Sequence, residues 1–166
     1  LSRIENKVTP LNLSKVELVS LIQSITKTLS KTISEKSLEV TLPLSTEEIF
    51  IEGDSDRINQ ILLNLIANSI NYTGEGGKID ISIELTEYNV YISISDTGIG
   101  IPQESVPRVF ERFYRVDKAR SRNSGGTGLG LAIVKHLVDS HQGDIKVNSI
   151  EGEGTTFTVI FPLQQV

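Results

Sequence analysis

Apolar residues fall into two rhythms along the chain. At helical spacing, Leu18, Leu21, Ile22, Ile25, Leu29 and Ile33 recur behind a candidate Ser14 cap, which predicts a first helix over residues 14–36. A second helix starts at Gly53-Asp54-Ser55 and gathers Ile58, Ile61, Leu62, Leu65, Ile66 and Ile70 on one broad face. A third covers residues 129–141 and is ended by Gly143. At period two, Ile79, Ile81, Ile83 and Leu85 alternate with polar residues, and Val90, Ile92 and Ile94 repeat the alternation beyond a turn at 87–89, as in a hairpin with one buried face. Shorter β-type runs occupy 38–42 and 49–52, and two closing strands fit 144–149 and 155–161 around Glu151-Gly152-Glu153-Gly154. Regular βαβ alternation is missing, so the expected class is α+β. The expected form is an α/β sandwich with three main helices on one face of a mixed, mostly antiparallel sheet. Residues 1–12, mixed in character and containing Pro10, read as a linker or stub ahead of one domain over 13–166.

Composition narrows the chemistry. The 166 residues, 38% hydrophobic, suffice for one domain with a real core. Leu1 in place of an initiator and the absence of Met suggest a piece of a longer protein. With no Cys, disulfides, thiolate nucleophiles and Cys-based zinc sites are excluded together. No apolar run approaches the ~20 residues that span a bilayer. A net charge of −5 argues against a general nucleic-acid binder. Yet between Arg108 and Arg122 six basic residues face two acidic ones. Such a run is either a solvated face or a positive lid over a small polyanion.

Three constellations carry candidate chemistry. Asn64, Asn68 and Asn71, spaced i, i+4 and i+7 on the second helix, fall within roughly 60° of one another beside its buried face. Asn is a poor interior helix residue, so three on one stripe suggest a use beyond solubility: an amide oxygen suits Mg²⁺ and an amide NH₂ suits phosphate. The strand with Val90, Ile92 and Ile94 carries its inward parity on to Asp96, followed by Thr97-Gly98-Ile99-Gly100-Ile101. A carboxylate aimed at an apolar interior needs a hydrogen-bond donor, and the exocyclic amine of adenine is one. Gly98 and Gly100 would let the backbone pass close to a flat base; a strand-end Asp capping a turn is the plainer alternative. Gly125-Gly126-Thr127-Gly128-Leu129-Gly130 opens the third helix and offers N–H groups to an anion, though it matches neither the dinucleotide fingerprint nor the P-loop.

Taken in order, Asn64-Leu65-Ile66-Ala67-Asn68, Asp96-Thr97-Gly98-Ile99-Gly100, Phe110-Glu111-Arg112-Phe113-Tyr114-Arg115, Gly126-Thr127-Gly128-Leu129-Gly130 and Gly152-Glu153-Gly154-Thr155-Thr156-Phe157 resemble the boxes of bacterial two-component sensor histidine kinases. The resemblance implies the Bergerat-type ATP-binding fold shared with type II topoisomerases, Hsp90-like chaperones and mismatch-repair ATPases. It implies ATP and Mg²⁺ as cofactors, with Asp96 on the adenine amine and Asn68, assisted by Asn64, on the metal. Tyr72, Gly98, Gly100, Ile101 and Thr156 would line the pocket beside Asn71, and Arg115 would contact phosphate. Lys118, Arg120 and Arg122 lie on the implied lid, which Gly126, Thr127, Gly128, Leu129 and Gly130 would hinge. Asn64, Asn68 and Arg115 would be the catalytic set.

Two departures matter. Asn71 stands where many relatives carry Lys or Arg, and Asn64 stands where hydrolysing relatives of the fold place a Glu base, which implies slow attack by water. The phosphoacceptor would be a histidine on a dimerisation hairpin upstream, whose terminal stub Leu1-Ser2-Arg3-Ile4-Glu5-Asn6 resembles; His136 and His141 do not suit that role. The implied parent is a homodimeric, membrane-anchored sensor with this part in the cytoplasm and a response regulator downstream. The piece alone would be a monomer that binds ATP without phosphorylating itself.

Overall fold

The computed structural model describes residues 10–43, 47–112, 114 and 130–163. In chain order the elements are β1 (Leu13–Glu17), α1 (Leu18–Thr28), α2 (Ser30–Glu35), β2 (Glu39–Thr41), β3 (Phe50–Asp54), α3 (Ser55–Tyr72), β4 (Lys78–Leu85) and β5 (Asn89–Asp96). A 3-10 turn at Val106–Arg108 follows, then α4 (Gly130–Ser140), β6 (Asp144–Ile150) and β7 (Gly154–Pro162). Five strands form one sheet in the order β2-β4-β5-β7-β6, with β2 parallel to β4 and the other neighbours antiparallel. β1 and β3 form a separate antiparallel ribbon.

Side-chain alternation decides which sheet face is covered. Val90, Ile92 and Ile94 of β5 and Phe157, Val159 and Phe161 of β7 are all buried, opposite one another in register. Against them pack Ile22 and Ile25 of α1, Ile58, Ile61, Leu62, Leu65 and Ile66 of α3, and Val134, Leu137 and Val138 of α4. Each such burial contributes about 1.5–3 kcal/mol, so this layer is the main source of stability. The other face is polar, and its hydroxyls pair across strands: Ser93 with Thr158 at 3.2 Å and Ser95 with Thr156 at 2.7 Å. The expected one-sided α/β sandwich is the architecture found.

Two expectations are corrected. The first helix does not begin at Ser14, which lies in β1 opposite Gly53. Val16 and Ile51 are buried between the ribbon and the helices, so the upstream residues gain more from pairing with β3 than from extending a helix. The N-cap is Glu17, whose carboxylate accepts from the Val19 and Ser20 N–H groups and from Ile49 N–H at 2.8 Å. The helical run also breaks at Leu29 (ψ 6°), where α1 gives way to α2. At the end of α4 the left-handed residue is Gln142 (φ 59°), not Gly143. Gly143 donates its N–H to the Val138 carbonyl at 3.0 Å, closing a Schellman turn. Its missing Cβ leaves room for the Ile160 carbonyl.

Candidate functional site

The site lies where the C-terminal turn of α3 meets the end of β5. α3 starts cleanly because Asp54 caps it, accepting from Arg57 N–H at 3.3 Å. Its buried face holds Asn64 and Asn68 half-buried beside the core, with Asn71 exposed one turn further on. Thr73 ends the helix, and its hydroxyl donates to the Ser69 carbonyl at 2.6 Å. Beyond it the Tyr72 carbonyl accepts the Ile99 N–H at 3.1 Å, stitching the helix end to the segment after β5.

Asp96 follows the inward parity of β5 and is 8% exposed. Its Oδ1 accepts the Gly98 N–H at 2.9 Å and the Thr155 N–H at 3.2 Å. Burial pushes its carboxyl above the ordinary Asp range, and these two N–H groups together with the nearby Ser69 hydroxyl pull the other way without cancelling the effect. A carboxylate so held can accept a ligand's N–H. The glycines after it are required within the fold itself: a Cβ on Gly98 would run into the Tyr72 carbonyl, and one on Gly100 (φ 72°) would run into the Ile150 and Glu151 backbone. Ile101 is held against β6 by its N–H to Ser149 Oγ at 2.7 Å.

Of the expected residues, Tyr72, Asp96 and Gly98 meet where α3 ends against β5, Gly100 and Ile101 follow on the same segment, and Asn64 and Asn68 stand half-buried on the helix that ends there. Thr156 is corrected: its hydroxyl pairs with Ser95 on the polar face of the sheet, one residue out of phase with the site. The inward residue is Thr155, directly opposite Asp96, with its Oγ1 2.7 Å from Ser149 Oγ. Counting back by two from Phe157 would have found it. Gly130 is the exposed first residue of α4. Arg115, Lys118, Arg120, Arg122, Gly126, Thr127, Gly128 and Leu129 lie outside the described residues. The box before them is anchored by Tyr114, whose hydroxyl donates to Ser105 at 2.6 Å under the Arg108 guanidinium.

The two histidines are placed differently. His141 is buried, with Nδ1 2.8 Å from the Leu137 carbonyl and Nε2 accepting the Asp54 N–H at 3.1 Å, and its ring meets Phe161 edge-on. His136 is exposed on α4 and its carbonyl takes the Ser140 hydroxyl. Among the described residues no group of three or more His, Cys, Asp or Glu could hold a metal. No described helix is long and apolar enough to cross a membrane.

Residues 53–165 match the family described as histidine kinase-, DNA gyrase B- and HSP90-like ATPase. The chain belongs to that family. Within it, the likeness is to sensor histidine kinases. Sensor histidine kinase WalK of Bacillus subtilis (strain 168) is 43% identical over 99% of this chain, which spans 27% of that relative. The catalytic domain of histidine kinase ThkA superposes with a TM-score of 0.80 at 30% identity, covering 92% of this chain and 96% of that one. ThkA is also solved in complex with response regulator protein TrrA. Full-length ShkA in complex with AMPPNP superposes with a TM-score of 0.84 at 29% identity, over 99% of this chain and 34% of that one. The chain therefore spans about a quarter of the length of WalK and corresponds to the catalytic ATP-binding domain of a sensor histidine kinase.

Proposed function

We propose that this domain binds Mg-ATP and presents its γ-phosphoryl group to a histidine on a separate dimerisation hairpin of the parent kinase. The observation that carries the reading is Asp96: a buried carboxylate, fixed on one oxygen by two backbone N–H groups, at the end of the helix that bears the Asn stripe. Its outward role is to accept the adenine amine. Asn68 and Asn64 offer amide oxygens, the donor type that hard Mg²⁺ takes alongside phosphate oxygens and water. Half-buried on one helix face, they can act together. Bound metal would supply charge neutralisation at the phosphates. Asn71 and Tyr72 are proposed to flank the nucleotide, Arg115 to supply the phosphate cation, and Gly126, Thr127, Gly128, Leu129 and Gly130 to contact the triphosphate.

Phosphoryl transfer then needs positioning more than covalent chemistry. The imidazole nitrogen of the acceptor forms a bond to the γ-phosphorus while the bond to the β,γ-bridging oxygen breaks, and ADP leaves. Asn64 cannot take a proton from water, so the site favours the incoming imidazole over hydrolysis. AMPPNP in the ShkA complex and TrrA on ThkA are consistent with ATP as ligand and a response regulator as the next partner. A cytoplasmic position beneath a membrane-anchored sensor, and a homodimeric parent, belong to the same proposal.

Calorimetric titration with ATP and GTP, each with and without magnesium, tests it. Magnesium-enhanced ATP binding that GTP does not reproduce is expected; no heat with ATP and magnesium would end the proposal.

A further inference from the structure

On the helix-covered face of the sheet, the apolar alternation stops at the same end of three neighbouring strands. β5 runs Val90, Ile92, Ile94 and then Asp96; β7, read backwards, runs Phe161, Val159, Phe157 and then Thr155; β6 runs Ile145, Val147 and then Ser149. The register sets Asp96 opposite Thr155 and Thr155 opposite Ser149, so the three polar residues form one row across the sheet. Ser149 is the outer member, on an edge strand, where a third apolar residue would extend the core. Its Oγ stands 2.7 Å from the Ile101 nitrogen, 3.0 Å from the Gly154 carbonyl oxygen and 2.7 Å from Thr155 Oγ1. A hydroxyl has one proton and two lone pairs. Only one assignment makes all three contacts bonds: Ser149 donates to the Gly154 carbonyl and accepts from the Ile101 N–H and the Thr155 hydroxyl.

The Ile101 bond falls at the far end of the strap that leaves β5, residues 97–101. The start of the strap is tied to β4 by Thr97 N–H to the Lys78 carbonyl at 3.1 Å. Its middle is tied to α3 by Ile99 N–H to the Tyr72 carbonyl at 3.1 Å, and to the turn before β7 by Gly152 N–H to the Ile99 carbonyl at 2.7 Å. Resting on the nucleotide reading of Asp96, we propose that Ser149 is a positioning residue of that site. It latches the end of the strap to β6 and turns the Thr155 hydroxyl toward itself, so that strap and polar row keep the shape a nucleotide meets; Ser149 itself touches no ligand. A bare packing role would be served better by valine, which continues the apolar face, suits a strand and buries no hydroxyl.

The test uses the whole chain well below its thermal midpoint, with magnesium and ATP as the probe. Ser149→Ala is expected to speed hydrogen exchange at the Ile101 amide of the nucleotide-free chain and to loosen ATP binding by roughly 5- to 10-fold, the size of one net hydrogen bond. Ser149→Thr, which keeps the hydroxyl, is expected to restore both. Val147→Ala, two residues back on the same face, removes packing and leaves the row intact; it is expected to lower the thermal midpoint with ATP affinity unchanged. The proposal is overturned by unaltered affinity or unaltered Ile101 exchange in Ser149→Ala, or by Ser149→Thr behaving as the alanine variant does. Equal loosening by Val147→Ala would make the effect one of general stability and overturns it too. Failure of the unaltered chain to bind ATP at all would instead sink the nucleotide reading of Asp96, and this assignment with it.

Discussion

Asp96 places a carboxyl group where ionisation is disfavoured, and that has a measurable sign. Its pKa is raised in the folded chain, chiefly by burial. Its contribution to stability is therefore fully present below the ordinary Asp range and is lost as pH rises through the raised value. In the proposed complex a ligand amine would favour the ionised carboxyl that burial disfavours. Asp96→Asn is expected to leave the denaturant midpoint at neutral pH equal or higher, while adenine nucleotide affinity drops by about 1.5–3 kcal/mol, the range for a charge-assisted hydrogen bond. For the unaltered chain, affinity should weaken on acidification through that raised range, a slope the Asn variant lacks. Flat affinity from neutral to acid pH would take the carboxylate out of the contact. This residue was legible from strand parity alone, since Val90, Ile92, Ile94 and Asp96 share one face. The same count on β7 yields Thr155 in place of Thr156.

At the scale of elements, α3 is fixed at both ends by residues distant in sequence. At its start, the Asp54 carboxylate caps the helix and accepts the Asn12 N–H at 3.0 Å, while the Asp54 N–H is taken by His141, the residue just after α4. The Asn12 bond, with the smaller help of Arg57, holds the Asp54 carboxyl below its ordinary range. At its end, Lys36 Nζ donates to the Ile70 carbonyl at 2.6 Å and stands 3.4 Å from that of Asn71, a cation on the negative end of the helix. Replacing His141 with Phe would leave the Asp54 N–H buried without an acceptor and is expected to cost about 1–3 kcal/mol in denaturant melts. A loss near zero would mean that the ring acts by packing alone. Lys36→Met is expected to cost about 1 kcal/mol and to loosen ATP binding by shifting the turn that carries the Tyr72 carbonyl, with Lys36→Arg restoring both. Helix α3 itself was readable from its apolar spacing and its Asp54 cap. Its clamps were not, since contacts spanning 34 and 87 positions leave no local pattern. The β1 ribbon escaped for a related reason: with Val16 its one buried residue before Glu17, the strand is too short for alternation to outweigh the helical run that follows.

For the whole molecule, the sheet's covered face builds one wall and the polar face is left to solvent, so chemistry concentrates at the edge where α3, the end of β5 and the turn before β7 converge. Asn12 enters that layer next to Asp54, at the start of the Asn-bearing helix. His141 has both ring nitrogens engaged, and for His136, which sits outward on α4, the proposal names no role because it assigns the acceptor to the separate hairpin. The proposed division of labour therefore requires two pieces. Mixed with magnesium, ATP and a separately produced hairpin bearing the acceptor histidine, the chain should yield acid-labile phosphohistidine on the hairpin and ADP in equal amount, and His136→Ala should not change the yield. Alone with Mg-ATP it should release ADP only slowly, because position 64 supplies an amide where a proton acceptor would be needed to activate water. Rapid steady-state ADP release by the chain alone, reduced by Asn64→Ala, would reverse that assignment and make the domain a hydrolase of the same fold.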